Sequence, residues 1–223
     1  MKLSQELHLE LSGYSKKLVD KQLVVGPGGN TSLRDGDVMW ISPSGYSLDD
    51  VAPDHWVPID IETGNNLNRS LKPSSELMMH LEIYRQRQDV NAIVHTHPPI
   101  TIGIISTDLN EIPPMFPDYV AIVGKKVPYI DYVVPCSDEL AYAVIDVLKD
   151  PSYTSLFMKN HGLITVGSNM KQAYYRTEII EDAARIFWVS HTVGNPHILS
   201  EQQVDQILNL EAEKFRQKLL ERG

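Results

Sequence analysis

Helical and strand-like segments alternate along the whole sequence, and this interleaving is the strongest constraint on its fold. Some segments place apolar residues at helical spacing among charged ones, whereas others are short apolar runs between turn residues. The alternation predicts one α/β or α+β domain over residues 1–223, with a mixed or antiparallel sheet. The predicted helices cover residues 3–24, a segment that begins at residue 73, and residues 138–148, 170–191 and 200–220; the predicted strands cover residues 38–41, 56–61, 91–95, 155–159 and 163–166.

Turn-forming residues connect these segments. Asp35-Gly36-Asp37 predicts a hairpin turn. The 91–95 segment is nearly all apolar, so we expect this strand to be covered on both faces and to end at Pro98-Pro99. Residues 112–135 combine many prolines with β-forming residues, which predicts short strands and loops.

The composition restricts the partners and the compartment of the protein. The 223 residues carry a formal charge of −9, which argues against nucleic acid or an anionic membrane as the main partner. The single cysteine, Cys136, excludes a disulfide within the chain and suits a reducing compartment. No apolar run approaches the ~18 residues of a membrane span. Charged and apolar residues mix too early for a signal peptide. We therefore expect a cytoplasmic protein with no nucleic-acid or membrane partner.

Three histidines form the first candidate site. His95 and His97 are two residues apart at the end of a predicted strand, so their rings are expected to point to the same side. His161 occupies a short break between two apolar strands. Three imidazoles suit zinc, manganese, cobalt or iron better than calcium or magnesium. The alternative is that the pair are polar residues at the mouth of a sheet and that His161 bonds the backbone of a turn.

Glu76 is the candidate acid/base beside these histidines. It is predicted to lie in the first turn of a helix, where the helix dipole stabilises a carboxylate and a serine of Ser74-Ser75 can act as the cap. A carboxylate beside a three-histidine metal site can be a ligand, a general base, or each in turn. The alternative is a role in helix stability alone. His80, one turn later, is interpreted as a packing or surface histidine.

Three segments form a candidate phosphate site: Gly29-Asn30, Ser44-Gly45 and Ser74-Ser75. None belongs to a P-loop or a dinucleotide-binding fingerprint. Glycine loops can nevertheless bind an anion through backbone N–H groups, and hydroxyl groups at a helix N-terminus can do the same. Each segment alone could be a turn or a cap. Together with the histidines, they predict a combined phosphate and metal site.

The motifs resemble those of the class II aldolase/adducin family, in family order. They are Gly29-Asn30-Thr31-Ser32, Ser44-Gly45, Ser74-Ser75-Glu76, His95-x-His97 and Asn160-His161-Gly162, and the resemblance spans roughly residues 5–210. It implies an α/β protein with a single three-layer α/β/α domain and a central mixed, mainly antiparallel sheet. It also implies a homotetramer with active sites at subunit interfaces.

The resemblance further implies a role for each motif residue. His95, His97 and His161 would hold Zn²⁺, with Mn²⁺ or Co²⁺ as alternatives. Glu76 would be the catalytic acid/base, and a metal ligand when no substrate is bound. The implied reaction is metal-dependent cleavage of a ketose 1-phosphate, a small-molecule sugar phosphate, to dihydroxyacetone phosphate and an aldehyde. The residues that would bind the substrate phosphate are Gly29, Asn30, Ser44, Gly45, Ser74 and Ser75.

The sequence departs from the family pattern in its tyrosines. Aldolases of the family use a tyrosine from the C-terminal tail, but no tyrosine follows Tyr175 here. Tyr119 lies in the general region of a second family tyrosine, which a neighbouring subunit contributes. The alternatives on this scaffold are a decarboxylase, a dehydratase, an epimerase, and a non-catalytic adducin-like binding module. Epimerases usually carry aspartate in place of Glu76, and a binding module would be expected to lack metal histidines, so these two are disfavoured. Decarboxylases and dehydratases keep the glutamate and stay open beside the favoured aldolase.

Overall fold

The computed structural model describes residues 3–109 and 111–221, in which helices cover one seven-stranded sheet. The strand order is β3-β2-β1-β4-β7-β6-β5, and every pairing is antiparallel except that of β5 with β6. The strands are β1 (Asn30–Asp35), β2 (Val38–Ile41), β3 (Val57–Asp60), β4 (Ala92–Thr96), β5 (Tyr129–Ile130), β6 (Ser155–Met158) and β7 (Gly162–Gly167). The helices are α1 (Gln5–Asp20), α2 (Leu77–Gln86), α3 (Pro99–Ile105), α4 (Pro117–Ile122), α5 (Asp138–Leu148), α6 (Met170–Val193), α7 (Glu201–Leu208) and α8 (Glu211–Glu221).

Helices cover both faces of the sheet because strand residues alternate between two apolar cores. On β4, Ile93 packs in a core with residues of α2 and α5. Its neighbours Ala92 and Val94 pack in a second core with residues of α1 and α6. The predicted α/β fold, with three layers and a mixed, mainly antiparallel sheet, is confirmed. None of the helices in the described ranges has the length and hydropathy needed to cross a lipid bilayer.

The central strand β4 brings the candidate site residues together. It pairs with β1 on one side and β7 on the other, and all five of its residues are buried, as the apolar run predicts. The register places Asn30 opposite His95 and Thr96 opposite Leu163. Residues at the ends of three adjacent strands therefore meet at one edge of the sheet.

Two short helices occur that the sequence did not predict. Pro99 begins α3 and Pro117 begins α4. Proline fits the first turn of a helix because the N–H group that it lacks would have no intrahelical partner there. The expectation that residues 112–135 contain only strands and loops is therefore wrong, and Pro98-Pro99 both end a strand and begin a helix.

The C-terminal helix is divided in two. Ser200 caps α7 through a reciprocal pair of hydrogen bonds with Gln203. At the other end of α7, the Asn209 side chain donates a hydrogen bond of 2.8 Å to the backbone carbonyl of Asp205. Such side-chain bonds compete with the helical pattern. The prediction of one helix over residues 200–220 is therefore wrong.

Glu181 is a buried carboxylate on α6 that holds the start of α3. It accepts hydrogen bonds from the Ile100 N–H (3.0 Å), the Thr101 N–H (2.9 Å) and the Thr101 hydroxyl (2.7 Å). We expect Glu181→Ala to lower the free energy of unfolding by about 3 kcal/mol, because buried donors lose a charged partner. Urea unfolding measures the loss. The control Glu178→Ala removes a partly exposed ion pair with Lys21 and should cost less than about 1 kcal/mol. Equal losses would contradict this role of Glu181.

Candidate metal centre

Strand alternation and a tight loop position the three histidines. His95 is buried near the end of β4 and faces the same side of the sheet as Ile93, which α2 covers; His97 follows just beyond the strand. His161 lies in the three-residue loop between β6 and β7. In that loop Asn160 has a φ of 56°, in the left-handed region that asparagine tolerates better than most residues.

The three rings converge. One nitrogen from each of His95, His97 and His161 lies within 4.8 Å of the others. The Nε2 atoms of His95 and His97 are 3.0 Å apart. His95 Nδ1 lies 3.0 Å from the Leu163 carbonyl oxygen. Because a carbonyl oxygen only accepts, Nδ1 carries a hydrogen and Nε2 faces the cluster, which is the usual arrangement of a metal-binding histidine.

Glu76 completes the cluster. Its Oε2 lies 3.1 Å from His95 Nε2, and its Oε1 lies 3.2 Å from His161 Nε2. The carboxylate is buried, and among the described residues its Oε1 has no hydrogen bond of good geometry. Three imidazoles and a buried carboxylate oxygen without a hydrogen bond fit a divalent transition metal such as zinc.

The position of Glu76 differs from the predicted first helical turn. Helix α2 begins at Leu77, and Glu76 is the residue before it, with φ −98° and ψ 21°. Neither serine caps the helix; instead Ser74 Oγ accepts a hydrogen bond of 3.3 Å from the Glu76 N–H. The expected cap is therefore wrong. Because Glu76 does not cap α2 either, its carboxylate is free to face the histidines.

Charge coupling sets the protonation of the cluster. Burial raises the pKa of Glu76, but the adjacent His95 and His161 outweigh burial and hold that pKa well below its usual range. Burial, assisted by His95 and His161, lowers the pKa of His97 to about 3. Burial lowers the pKa of His95, but Glu76 reverses the direction and raises it overall. At neutral pH the site therefore offers an ionised carboxylate and a neutral His97, both suited to bind a cation.

The three predicted phosphate segments lie side by side. The N–H of Ser44 donates to the carbonyl of Lys72, and Pro43 pairs with Pro73 in an isolated bridge. Across the strands, the N–H of Ser42 donates to the carbonyl of Thr31. Two hydrogen bonds connect these segments to the cluster: Asn30 Nδ2 donates to Glu76 Oε2 at 2.9 Å, and the Glu76 N–H donates to Ser74 Oγ at 3.3 Å. Asn30 and Ser74 thus lie against Glu76, and backbone bonds place Ser44 beside the segment that leads to Ser74.

Tyr119 and His80 are both buried, and of the two interpretations of His80 the packing role is the one that holds. Tyr119 is fully buried, and its hydroxyl donates to the Ile112 carbonyl at 2.9 Å, so it is a core residue. His80 is not on the surface: it is buried, and its ring contacts Ser32 and Asn30. The only signal for His80 in the sequence is its spacing of four residues from Glu76, on the same face of a helix.

The match to a known family is decisive. Residues 10–188 match the family described as Class II Aldolase and Adducin N-terminal domain. The chain belongs to the class II aldolase and adducin family. An L-fuculose phosphate aldolase of this kind from Methanococcus maripaludis is 36% identical over 177 residues, which cover 79% of this chain and 93% of the relative. A 5-deoxy-D-ribulose 1-phosphate aldolase from Bacillus thuringiensis serovar kurstaki is 34% identical over 217 residues, or 96% of this chain and 97% of the relative.

A solved structure extends the similarity to the class II aldolase fold. An L-fuculose 1-phosphate aldolase superposes with a TM-score of 0.85 at 29% sequence identity, covering 96% of this chain and 98% of the other. The resemblance inferred from the ordered motifs is therefore confirmed.

Gly162 sets the spacing of the metal centre in this class II aldolase-family chain. A Cβ atom there would clash with the Thr96 carbonyl oxygen and lie 2.8 Å from Cδ2 of His97 and 3.2 Å from Cε1 of His95. We expect Gly162→Ala to cost about 1–3 kcal/mol of stability through overpacking. It should also weaken zinc binding about 10-fold or more, because both rings must move.

Chelator competition and urea unfolding measure the two effects of Gly162→Ala. The control is Gly103→Ala in α3, where a Cβ atom meets nothing within 4 Å. It should leave zinc affinity unchanged. Unaltered zinc affinity in Gly162→Ala would show that the centre does not depend on this close approach.

Proposed function

We propose that the protein is a metal-dependent aldolase that cleaves a ketose 1-phosphate to dihydroxyacetone phosphate and an aldehyde. The observation that carries the proposal is the placement of the Glu76 carboxylate between His95 and His161, within reach of three converging imidazoles. This arrangement joins a metal site to a candidate acid/base in one buried cluster. Family membership and the names of the relatives add support, since these relatives are aldolases of sugar phosphates.

The metal ion and the substrate phosphate would bind to separate sets of residues. His95, His97 and His161 would hold Zn²⁺, and the substrate phosphate would bind at Gly29-Asn30, Ser44-Gly45 and Ser74-Ser75. Asn30 Nδ2 gives one hydrogen to Glu76, and its second hydrogen is the one that a phosphate oxygen would accept. A phosphate fixed there would hold the sugar carbons beside Glu76.

The chemistry requires a proton donor and acceptor at the carbon that changes. When bound, the divalent ion supplies Lewis acidity at the substrate carbonyl. Cleavage of the carbon–carbon bond would leave its electron pair on the dihydroxyacetone phosphate fragment, while the other carbon would lose its hydroxyl proton to the ionised Glu76 carboxylate and become an aldehyde. Glu76 would deliver a proton to the carbon that keeps the pair and remove it in the reverse reaction.

We also propose a homotetramer with active sites at subunit interfaces, working in the cytoplasm, with residues 1–223 acting as one class II aldolase-like domain. The surface beside the phosphate segments supports an interface. Cys136 Sγ lies 3.2 Å from Ser75 Oγ, which places the 132–136 segment next to the site. In that segment Tyr132 and Val134 are 56% and 62% exposed, an apolar surface of the kind that subunits bury.

A product assay tests the function. The purified protein is stripped with a chelator, reloaded with Zn²⁺, Mn²⁺ or Co²⁺, and given a panel of phosphorylated sugars. The panel contains L-fuculose 1-phosphate, 5-deoxy-D-ribulose 1-phosphate and phosphorylated sugar acids. Dihydroxyacetone phosphate released from a ketose 1-phosphate would support the proposal. Carbon dioxide from an acid, with no cleavage of any ketose 1-phosphate, would replace it with a decarboxylase.

A further inference from the structure

A chain of hydrogen bonds runs from the Glu76 carboxylate into the core between β1 and α2. Asn30 Nδ2 donates to Glu76 Oε2 at 2.9 Å, and Asn30 Oδ1 lies 2.6 Å from His80 Nε2. On the other side of the ring, His80 Nδ1 lies 2.7 Å from Ser32 Oγ. Ser32 Oγ in turn lies 2.9 Å from the Tyr84 hydroxyl. All five residues of this chain are buried.

The carboxylate fixes the direction of every bond in the chain. An ionised carboxylate only accepts hydrogen bonds, so the Asn30 amide must turn its NH₂ group to Glu76 and its oxygen to His80. An amide oxygen also only accepts, so His80 must carry its hydrogen on Nε2. In a neutral ring Nδ1 is then an acceptor, which receives the Ser32 hydroxyl.

The hydrogen bonds at Tyr84, the last residue of the hydrogen-bond chain, are consistent with this direction. Because the Ser32 hydroxyl donates its hydrogen to His80 Nδ1, Ser32 Oγ is left to accept a hydrogen bond from the Tyr84 hydroxyl. The alternative acceptor for Tyr84, the Asn91 carbonyl oxygen, is farther away at 3.4 Å. Every group in the chain is thus satisfied by a single arrangement of hydrogens.

We infer that His80 is a positioning residue of the active site, which holds the Asn30 amide in the one orientation that donates to Glu76. The inference rests on the role of Glu76 under the proposed function. If the amide of Asn30 rotated by 180°, its NH₂ group would face the Nε2–H of His80 and its oxygen would face the carboxylate. Both contacts would be repulsive, so Glu76 and the Nε2–H of His80 together exclude the rotated state.

His80 acts by orientation, not by proton transfer. An amide group interrupts the chain, since the Asn30 NH₂ group does not pass a proton from an imidazole to a carboxylate. The ring is also held neutral: burial, assisted by His95, lowers the pKa of His80 to about 3. A neutral ring with one donor and one acceptor nitrogen is what the fixed direction requires.

Variants of His80 separate positioning from packing. His80→Phe keeps the volume and removes the donor, and we expect zinc affinity and kcat each to fall about 10-fold, the scale for loss of an outer-shell partner. His80→Gln retains an N–H donor and should recover part of both. The matched control is Thr177→Val on α6, which loses a buried hydrogen bond of 2.8 Å to Thr165 on the face of the sheet opposite to His80.

The control should lower the melting temperature while leaving zinc affinity and kcat within about twofold of the original protein. Zinc affinity and kcat in His80→Phe that match those of Thr177→Val would overturn the inference, because His80 would then be an ordinary core residue. Partial recovery of both quantities by His80→Gln would support it.

Nitrogen NMR of the original protein tests the same inference without any variant or substrate. The ¹⁵N shifts of the His80 ring should show a neutral imidazole with its hydrogen on Nε2. A hydrogen on Nδ1 would overturn the inference even if every variant failed to fold. A protein that cleaves no sugar phosphate would contradict the proposed function, whereas the ring tautomer and the zinc affinities would still decide the part played by His80.

Discussion

Removal of the divalent ion is expected to reduce aldol cleavage by about 10³-fold or more, because Lewis-acid stabilisation of the developing charge is worth several kcal/mol. The fold should survive the treatment. Its apolar cores join residues of most helices and strands and do not depend on the histidine cluster. Turnover before and after chelation, with a far-UV circular dichroism spectrum of each sample, measures both effects, and added Zn²⁺, Mn²⁺ or Co²⁺ should restore turnover.

A pair of histidine variants assigns this loss to the proposed centre. His161→Ala should lose bound zinc and turnover together, since one of three imidazole donors is removed. His197→Ala is the matched control, because His197 is exposed and lies outside the cluster. Full turnover in chelated protein, or zinc retained at normal affinity in His161→Ala, would mean that these three histidines are not the metal site.

Replacement of Glu76 by glutamine is expected to lower kcat by about 10²-fold or more, the usual scale for loss of a general acid/base. Glutamine keeps the size of the side chain and can still accept the hydrogen bond from Asn30, but it cannot take up a proton at neutral pH. Zinc should remain bound through the three histidines. The measurements are kcat on the substrate found in the product assay and zinc content by metal analysis.

The control for this variant is Glu82→Gln on the same helix. Glu82 pairs with Arg85, three residues on, and lies outside the histidine cluster. The control should turn over substrate at close to the normal rate. If Glu76→Gln did the same, another residue would have to move the proton, and the mechanism drawn here would fall.

The convergence of the three candidate metal-binding histidines was predictable because their geometry is local. Two histidines separated by one residue on a strand share a face whatever the rest of the fold does. The third, His161, was found as a residue in a break between two apolar strands, and those strands do form a hairpin in the structure. The sequence indicates this part of the site because strand periodicity and turns are short-range properties.

The features that the sequence did not predict depend on long-range packing or on which local hydrogen bonds form. Spacing placed His80 one turn from Glu76, but only the packing of α2 on β1 shows that its ring reaches Ser32 and Asn30. The start of α2 was misplaced because the Ser74 hydroxyl bonds to the Glu76 N–H and the helix begins at Leu77 without a side-chain cap. Pro99 was expected only to end a strand and Pro117 to lie among short strands and loops, although proline also fits a first helical turn.

The candidate site has a rigid part on the central strand β4 and a part that can vary in the loops at Ser44-Gly45 and Ser74-Ser75. Backbone amides of β4 are paired on both sides and covered on both faces, so they are expected to exchange with solvent only through global unfolding. Ser44-Gly45 and Ser74-Ser75 lie outside the strands, linked through a single bridge and nearby turns, and Gly45 and Ser75 are exposed. If these two loops bind the substrate phosphate as proposed, we expect changes in them to alter which phosphorylated sugar is accepted while the histidine geometry persists, so that specificity changes without loss of the underlying chemistry.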